Sequence, residues 1–211
     1  PMTRSGLADA CRAVAERTPG PAKLRLTVTG GAAALSSARG DATGSVLIAA
    51  ASMPLPAPAA AVTVVEWPRN ERGALAGVKS TSYLENVVAL AAAKEQGSDE
   101  AIFANTVGNL CEGTGSNVFV VIDGRLVTPP LTAGPLAGVT RALVLEVTDA
   151  VEEDLPIEAF EAAEEAFLTA CTRDVQPIGS INGRPLDRVP GPATAAAAAA
   201  YLDLISTTPD P

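Results

Sequence analysis

The sequence predicts a mixed α+β fold with a small N-terminal α/β unit and a larger C-terminal domain. Apolar residues recur at helical spacing in several stretches, and short runs rich in valine, isoleucine and leucine lie between glycine and proline residues. The length of 211 residues is enough to bury one medium core or two small ones.

The N-terminal part, residues 1–67, is predicted to be the remainder of a small α/β domain. A helix is indicated over 5–18, where apolar positions follow a helical period before a proline-glycine stop. Strands are indicated over 23–31, 45–51 and 60–67.

A charged, glycine-containing connector over 68–77 separates this part from a large domain over 78–211. The large domain opens with the clearest predicted helix, over 82–97. Its apolar face carries Leu84, Val87, Val88 and Ala91, and Gly97 is placed to end it.

Four short strands are predicted next, over 100–104, 109–113, 117–122 and 125–129. An Asp-Gly pair at 123–124 is typical of a tight hairpin turn. Because the connections are short, we expect these strands to form an antiparallel meander.

The C-terminal part is predicted to contain three helices and two β segments. Helices are expected over 138–156, 157–166 and 191–205, the last of them an alanine run preceded by a proline. The β segments are expected over 166–172 and 176–186.

Composition narrows the function classes. With 24 acidic and 15 basic residues the net charge is −9, and no basic stripe is present, so a nucleic-acid partner is not expected. The three cysteines are widely spaced, which predicts neither a disulfide framework nor a metal site and suits a reducing cytoplasm. No signal peptide is evident and prolines break the apolar stretches, so no membrane partner is expected.

The chain contains no histidine, so any catalysis must use another base. Lys79 has mostly uncharged neighbours, and a lysine in an apolar surrounding can serve as an amine nucleophile. Taken alone, a solvated lysine is the more common case. Glu112 lies between a cysteine and a glycine-rich turn. Taken alone, a surface carboxylate is the default, since a buried one needs a partner.

Two further segments could bind an anion. The stretch 137–141 puts Thr140 at the start of a helix, where free N–H groups and the helix dipole favour negative charge, although ordinary capping is an equal alternative. The stretch 168–174 offers Thr169, Thr172 and Arg173 at the end of a strand, where a simple turn is the default.

The order of these residues is more informative than any one of them. A lysine, a glutamate 33 positions later, "SNVF" directly afterwards, "TPP", and then "GVTR" resemble the class IV aminotransferases, the fold-type IV enzymes that use pyridoxal phosphate. The resemblance runs from about Leu24 to Ile181 and is strongest over 86–121. It implies a barrel-like sheet with flanking helices and a homodimer.

The resemblance also implies roles for individual residues. Lys79 would form the internal aldimine and move substrate protons, and Glu112 would face the protonated pyridine nitrogen. The cofactor phosphate would be bound by Gly138, Val139 and Thr140.

Looser matches in the family implicate three further residues. Cys171 and Thr172 would add contacts to the phosphate, and Tyr83 together with Thr172 would contact the substrate. Full-length members begin with a strand-rich segment carrying a "GDGVFE"-like motif and a phosphate-binding arginine, neither of which occurs in these 211 residues.

The reaction is harder to choose from the sequence. "VKSTSYLEN" and "TRDVQPI" are more similar to the lyases and D-amino acid enzymes than to branched-chain enzymes, so an activity like 4-amino-4-deoxychorismate lyase, releasing pyruvate and 4-aminobenzoate, is predicted. A branched-chain or D-amino acid aminotransferase is the alternative. A non-catalytic truncated homologue and an unrelated α/β scaffold are the alternatives from other classes.

Overall fold

The structure, a computed structural model, describes residues 3–35, 38 and 40–208, which divide into two compact units, Pro1–Leu55 and Pro56–Pro211. In the first unit the Thr3 side chain caps helix α1 by accepting the Gly6 N–H. Its elements are α1 (Arg4–Ala15), β1 (Ala22–Thr29) and β2 (Ser45–Ser52). Both segments were predicted as strands, and they pair antiparallel along their whole length.

The second unit is one curled sheet with helices packed against it. Its strands are β3 (Ala60–Val64), β4 (Glu100–Ala104), β5 (Leu110–Gly113), β6 (Asn117–Ile122), β7 (Arg125–Thr128), β8 (Val151–Glu152), β9 (Ala166–Ala170), β10 (Asp174–Ile181) and β11 (Arg184–Pro185). Its helices are α2 (Leu84–Glu95), α3 (Val139–Val147), α4 (Ile157–Glu161) and α5 (Pro192–Thr207), with a 3₁₀ turn at Leu131–Ala133. Strand β3, which the sequence analysis grouped with the first part, pairs with β4 and β10 in this sheet.

Strand order decides the shape of the sheet. Among the described residues the order is β5-β4-β3-β10-β9-β6-β7-β8, with β11 beside β10. The predicted meander is wrong at one point, because β5 and β6 are not hydrogen-bonded neighbours even though only residues 114–116 separate them. So short a connection between strands five places apart in the order requires the sheet to curl back on itself, which produces the barrel-like form that the sequence predicted.

The two faces of the sheet bury different cores. Alternate residues such as Ile102, Val118 and Leu168 enter one cluster that draws on strands β3 to β10. Their neighbours Phe119 and Phe167 point to the opposite face, where their rings stack 4.9 Å apart beneath helices α3 and α5. The strand order runs from β5 at one edge to β8 at the other, and helices α3 and α5 cover the face that carries the two phenylalanines.

Helix α2 packs with a different face from the one its apolar pattern suggested. Ala89 and Ala93 are fully buried against β4, whereas Leu84, Val87 and Val88 are 75%, 59% and 46% exposed. Small alanines let the helix backbone approach the sheet closely, and this contact leaves the larger side chains outside. Gly97 follows the helix with φ of 79°, as predicted for its end.

Turns and helix ends explain the remaining boundaries. The predicted turn at Asp123-Gly124 has positive φ at both residues, which is the hairpin geometry that this pair favours. A second such turn, at Asn182-Gly183, interrupts the β segment expected over 176–186. The helix predicted over 138–156 is wrong in length: α3 ends at Val147, where the Thr148 hydroxyl donates to the Val144 carbonyl and the backbone becomes extended. The alanine-rich helix α5 forms as predicted.

Candidate active site

The site is a cavity of about 590 Å³ in the second unit. Four stretches of chain line it: the segment between Arg69 and Asn86, the turn 112–117, the loop 134–140 and the end of β9 at 169–171. The curl of the sheet brings these stretches together, because the end of β5, the start of β6 and the end of β9 meet there. Most of the residues that the sequence singled out therefore share one pocket.

Lys79 lies in this wall, just before helix α2, and its side chain is exposed to the cavity. Its Nζ atom is 5.7 Å from the ring centroid of Tyr83, which also lines the cavity. The lysine is therefore accessible to a molecule entering the pocket rather than enclosed by apolar side chains.

Glu112 is on β5, and its side chain is only 14% exposed. Oε2 accepts the Leu136 N–H at 2.9 Å, and Oε1 lies 3.4 Å from the Nε atom of Arg69. Burial raises the pKa of this carboxyl, while the Leu136 amide and the charges of Arg69 and Lys79 oppose that rise. The glutamate is thus a largely buried carboxylate with a partial set of partners. The family resemblance implied this burial, whereas its sequence position alone favoured the surface.

The pKa of Glu112 predicts how the unliganded protein responds to pH. A carboxyl whose pKa is raised by folding stabilises the folded protein below its unfolded value, about 4.5, and that stabilisation is lost as pH rises through the folded pKa. We expect the free energy of unfolding of the wild type to fall, relative to Glu112→Gln, as pH increases from 4 toward neutrality. Urea titrations of both proteins at several pH values measure this difference, and parallel curves would contradict it.

Sequence reasoning found no place for Arg69 in the site. Its guanidinium lies against the first turn of α2, donating from Nη1 to the Asn86 side chain at 2.9 Å and to Glu85. The Asn86 amide in turn donates to the Thr114 carbonyl at 2.6 Å, which ties α2 to the turn that follows Glu112. The "LEN" sequence at 84–86 could have indicated this contact, since both of its polar residues accept hydrogen bonds from Arg69.

Glu100 is a second residue that the sequence did not reveal. Its carboxylate is 1% exposed and accepts the N–H and hydroxyl of Thr114, the Ser116 hydroxyl at 3.1 Å and an Arg173 N–H at 3.3 Å. A Cβ on Gly113 would come 2.4 Å from the Ser116 oxygen and 3.2 Å from the Glu100 side chain, so the turn passes too close for any other residue. Glu100 fixes the turn between Glu112 and β6.

We expect Glu100→Gln to lower the free energy of unfolding by about 2–3 kcal/mol, because an amide NH₂ replaces an acceptor that faces several donors. Denaturant unfolding of the two proteins measures the difference. Glu153→Gln is the matched control: that carboxylate is exposed and paired with Arg125, so little change is expected. An equal effect of both substitutions would show that the buried contacts of Glu100 contribute no more to the free energy of unfolding than an exposed ion pair does.

The predicted anion site is also part of the cavity wall. Helix α3 begins at Val139 without a side-chain cap on Gly138, and both residues line the cavity with Thr140. A Cβ on Gly138 would meet the Asn117 side-chain oxygen at 2.1 Å, so glycine is required there. These features suit a negatively charged group at the helix N-terminus.

Strand β9 completes this side of the cavity. Thr169 is 1% exposed, lines the cavity, and its hydroxyl lacks a hydrogen-bond partner among the described residues. Cys171 is exposed and lines the cavity too, whereas Thr172 is half buried and lies outside the lining set. Of the two threonines that the sequence placed at this strand end, Thr169 therefore lines the cavity and Thr172 does not.

Two classes of site find no support in the described part of the chain. Those residues contain no cluster of three or more histidine, cysteine or acidic side chains able to hold a metal ion. No helix among them has the length and apolar character needed to cross a membrane.

Comparison with known proteins places these features in a family context. The model of the family "Amino-transferase class IV" matches residues 1–181. The branched-chain-amino-acid aminotransferase of Pseudomonas aeruginosa is 34% identical over 131 residues, which are 59% of this chain and 42% of that protein. The chain spans about two fifths of the length of the curated relatives it matches, 40% and 42% for two of them.

Solved structures give the same picture. The branched-chain aminotransferase of Thermoproteus uzoniensis with norvaline matches with a TM-score of 0.81 and 31% identity, over 90% of this chain and 66% of that one. The enzyme of Thermobaculum terrenum in its pyridoxal-phosphate form matches at 0.82 and 28%, over 96% and 69%. A Legionella pneumophila protein assigned as a 4-amino-4-deoxychorismate lyase matches at 0.78 and 23%, over 87% and 69%, and shows a shared fold.

Proposed function

Since this chain belongs to the class IV aminotransferase family, we propose that it is part of a pyridoxal-phosphate-dependent enzyme that transfers the amino group of a small amino acid. The observation that carries the proposal is that one cavity is lined by Lys79, by the buried carboxylate Glu112 and by the N-terminus of α3. Relatives that carry the name branched-chain aminotransferase at 34% and 31% identity support transamination as the reaction.

The residues present fit this cofactor. The uncapped start of α3 and the unpaired hydroxyl of Thr169 provide donors for a phosphate, and Gly138 leaves room beside Asn117. Glu112 provides a negative charge for a protonated ring nitrogen. The amine of Lys79 is the group able to bind the cofactor covalently.

When bound, pyridoxal phosphate acts as an electron sink for a carbanion at the substrate's α-carbon. The chain's residues then have separate tasks. Lys79 would accept and return the proton at that carbon, as the family resemblance implies. Glu112 would favour a proton on the ring nitrogen. Gly138, Val139 and Thr140 would hold the phosphate, and Cys171 lines the same cavity.

A lyase reaction is the second candidate, as the sequence analysis favoured it. The observation behind it is the "VKSTSYLEN" stretch, which puts Tyr83 four residues after Lys79 in the wall of the cavity. Within this proposal Thr172 remains a candidate substrate contact, although it does not line the cavity.

The two reactions can be separated by assay of the full-length protein with pyridoxal phosphate. We expect branched-chain amino acids with 2-oxoglutarate to yield glutamate. Formation of 4-aminobenzoate and pyruvate from aminodeoxychorismate would instead establish the lyase. Binding of the cofactor without either reaction, or with D-amino acids alone, would replace both assignments, and failure to bind it would favour a non-catalytic homologue.

We also propose that the protein forms a homodimer. The exposed apolar side chains of Leu84, Val87 and Val88 on α2 support this, because such a cluster at the surface is a common feature of interfaces between subunits. Light scattering of the full-length protein should give twice the mass of one chain. A monomer at micromolar concentration would contradict the proposal.

A further inference from the structure

Arg69 is held more firmly than a surface arginine. Its backbone N–H donates to the Ala104 carbonyl at 2.7 Å, and its side chain is 14% exposed. The guanidinium carbon lies 4.1 Å from the ring centroid of Phe103, a fully buried residue that is paired directly with Glu112 across strands β4 and β5. The arginine is therefore stacked over the strand pair that carries the glutamate.

The contact between Arg69 and Glu112 is an ion pair without a hydrogen bond. The Nε atom is 3.4 Å from Oε1 of Glu112 and forms no hydrogen bond within the described residues, and the same holds for Nη2. At that distance the positive charge still favours the carboxylate, but no proton is shared with the oxygen. Oε1 therefore keeps its capacity to accept a hydrogen bond from a ligand in the cavity.

The other charges near Glu112 show why this matters. Lys79 also favours the carboxylate, whereas burial and the Glu100 carboxylate oppose it. In the proposed function Lys79 is used to bind the cofactor, so its charge is committed to another role. On the α2 side, Arg69 faces Glu85, which is half exposed and takes a different nitrogen of the guanidinium.

We propose that Arg69 is a positioning residue that keeps Glu112 charged and leaves its Oε1 atom free to pair with a cationic ring nitrogen. This inference rests on the proposed function. Through Glu85 and Asn86, the same guanidinium joins the carboxylate to the first turn of α2, next to the segment with Lys79. A purely structural role, in which Arg69 only supports α2, is the alternative that a test must exclude.

Two forms of the cofactor distinguish these roles. Pyridoxal phosphate has a ring nitrogen that can be protonated, whereas its 1-deaza analogue has a carbon at that position and the same phosphate and aldehyde. We expect Arg69→Gln to weaken binding of pyridoxal phosphate by roughly tenfold, because loss of a nearby opposite charge raises a carboxyl pKa by one unit or more. Binding of the deaza analogue should change less than twofold, since it offers no ring proton to Glu112.

The measurement is a titration of full-length wild type and variant with each compound, followed by absorbance or by quenching of protein fluorescence. Arg69→Lys should restore most of the discrimination, because it returns a positive charge. Arg125→Gln is the control: it removes an arginine from the exposed pair with Glu153 and should alter neither titration. Thermal unfolding of each variant checks that it is folded. If Arg69→Gln does not fold, the test rests on Arg69→Lys, which should bind pyridoxal phosphate more tightly than the deaza analogue, as the wild type does.

The outcomes separate the two proposals. Equal losses of both compounds in Arg69→Gln, or no loss of either, would overturn the role of Arg69 and leave the proposed function standing. If Arg69→Lys is the folded variant, loss of its preference for the nitrogen-containing ring would have the same meaning. If the wild type takes up neither compound, the proposed function itself fails.

Discussion

Lys79→Ala should abolish the visible absorption that a cofactor bound through a lysine amine produces, and turnover should fall by at least about 1,000-fold. The alanine removes both the amine that holds the cofactor and the base that moves the substrate proton. The proposed function assigns both tasks to Lys79, the lysine in the described cavity wall. Absorption spectra and single-turnover rates measure the two effects separately.

Lys94→Ala is the matched control for this prediction. Lys94 lies in the last turn of the same helix that follows Lys79, is exposed, and is absent from the cavity lining. Its removal should leave both the spectrum and the rate unchanged. Retention of the absorption band in Lys79→Ala would show that another amine binds the cofactor.

Glu112→Gln should bind the cofactor at least as weakly as Arg69→Gln, and with the cofactor at saturation its turnover should be lower by roughly 100-fold or more. The glutamine oxygen can still accept the Leu136 N–H, so the loop before α3 keeps its place. What is lost is the negative charge, and a neutral amide no longer favours a proton on the ring nitrogen. The rate should therefore fall without a comparable loss of substrate affinity.

The split between kcat and KM decides this prediction. A rise in KM with kcat unchanged would mean that Glu112 serves binding alone. Glu153→Gln, in an exposed ion pair remote from the cavity lining, provides the control for removing one carboxylate. An unaltered rate in Glu112→Gln would remove the glutamate from the chemistry.

The local pattern of the sequence was enough for much of this fold. The Asp-Gly and Asn-Gly turns follow from the positive φ that those residues tolerate, and the alanine-rich helix α5 from propensity alone. Lys79, Glu112 and the "GVT" stretch could be picked out because their order along the chain is itself a signal. Boundaries such as the end of α3 were less predictable, because the apolar pattern continues beyond Val147 while the backbone becomes extended at Thr148.

The tertiary structure alone decided how the strands are ordered and which residues support the site. Separation of β5 from β6 depends on pairings between strands far apart in sequence, and no local period encodes them. Arg69, Glu100 and Thr169 look ordinary in the sequence because their partners come from other strands and helices. The spacing of apolar residues shows which side of an element is apolar. In α2, however, close packing through small alanines determines which side is buried, and the larger apolar side chains are exposed.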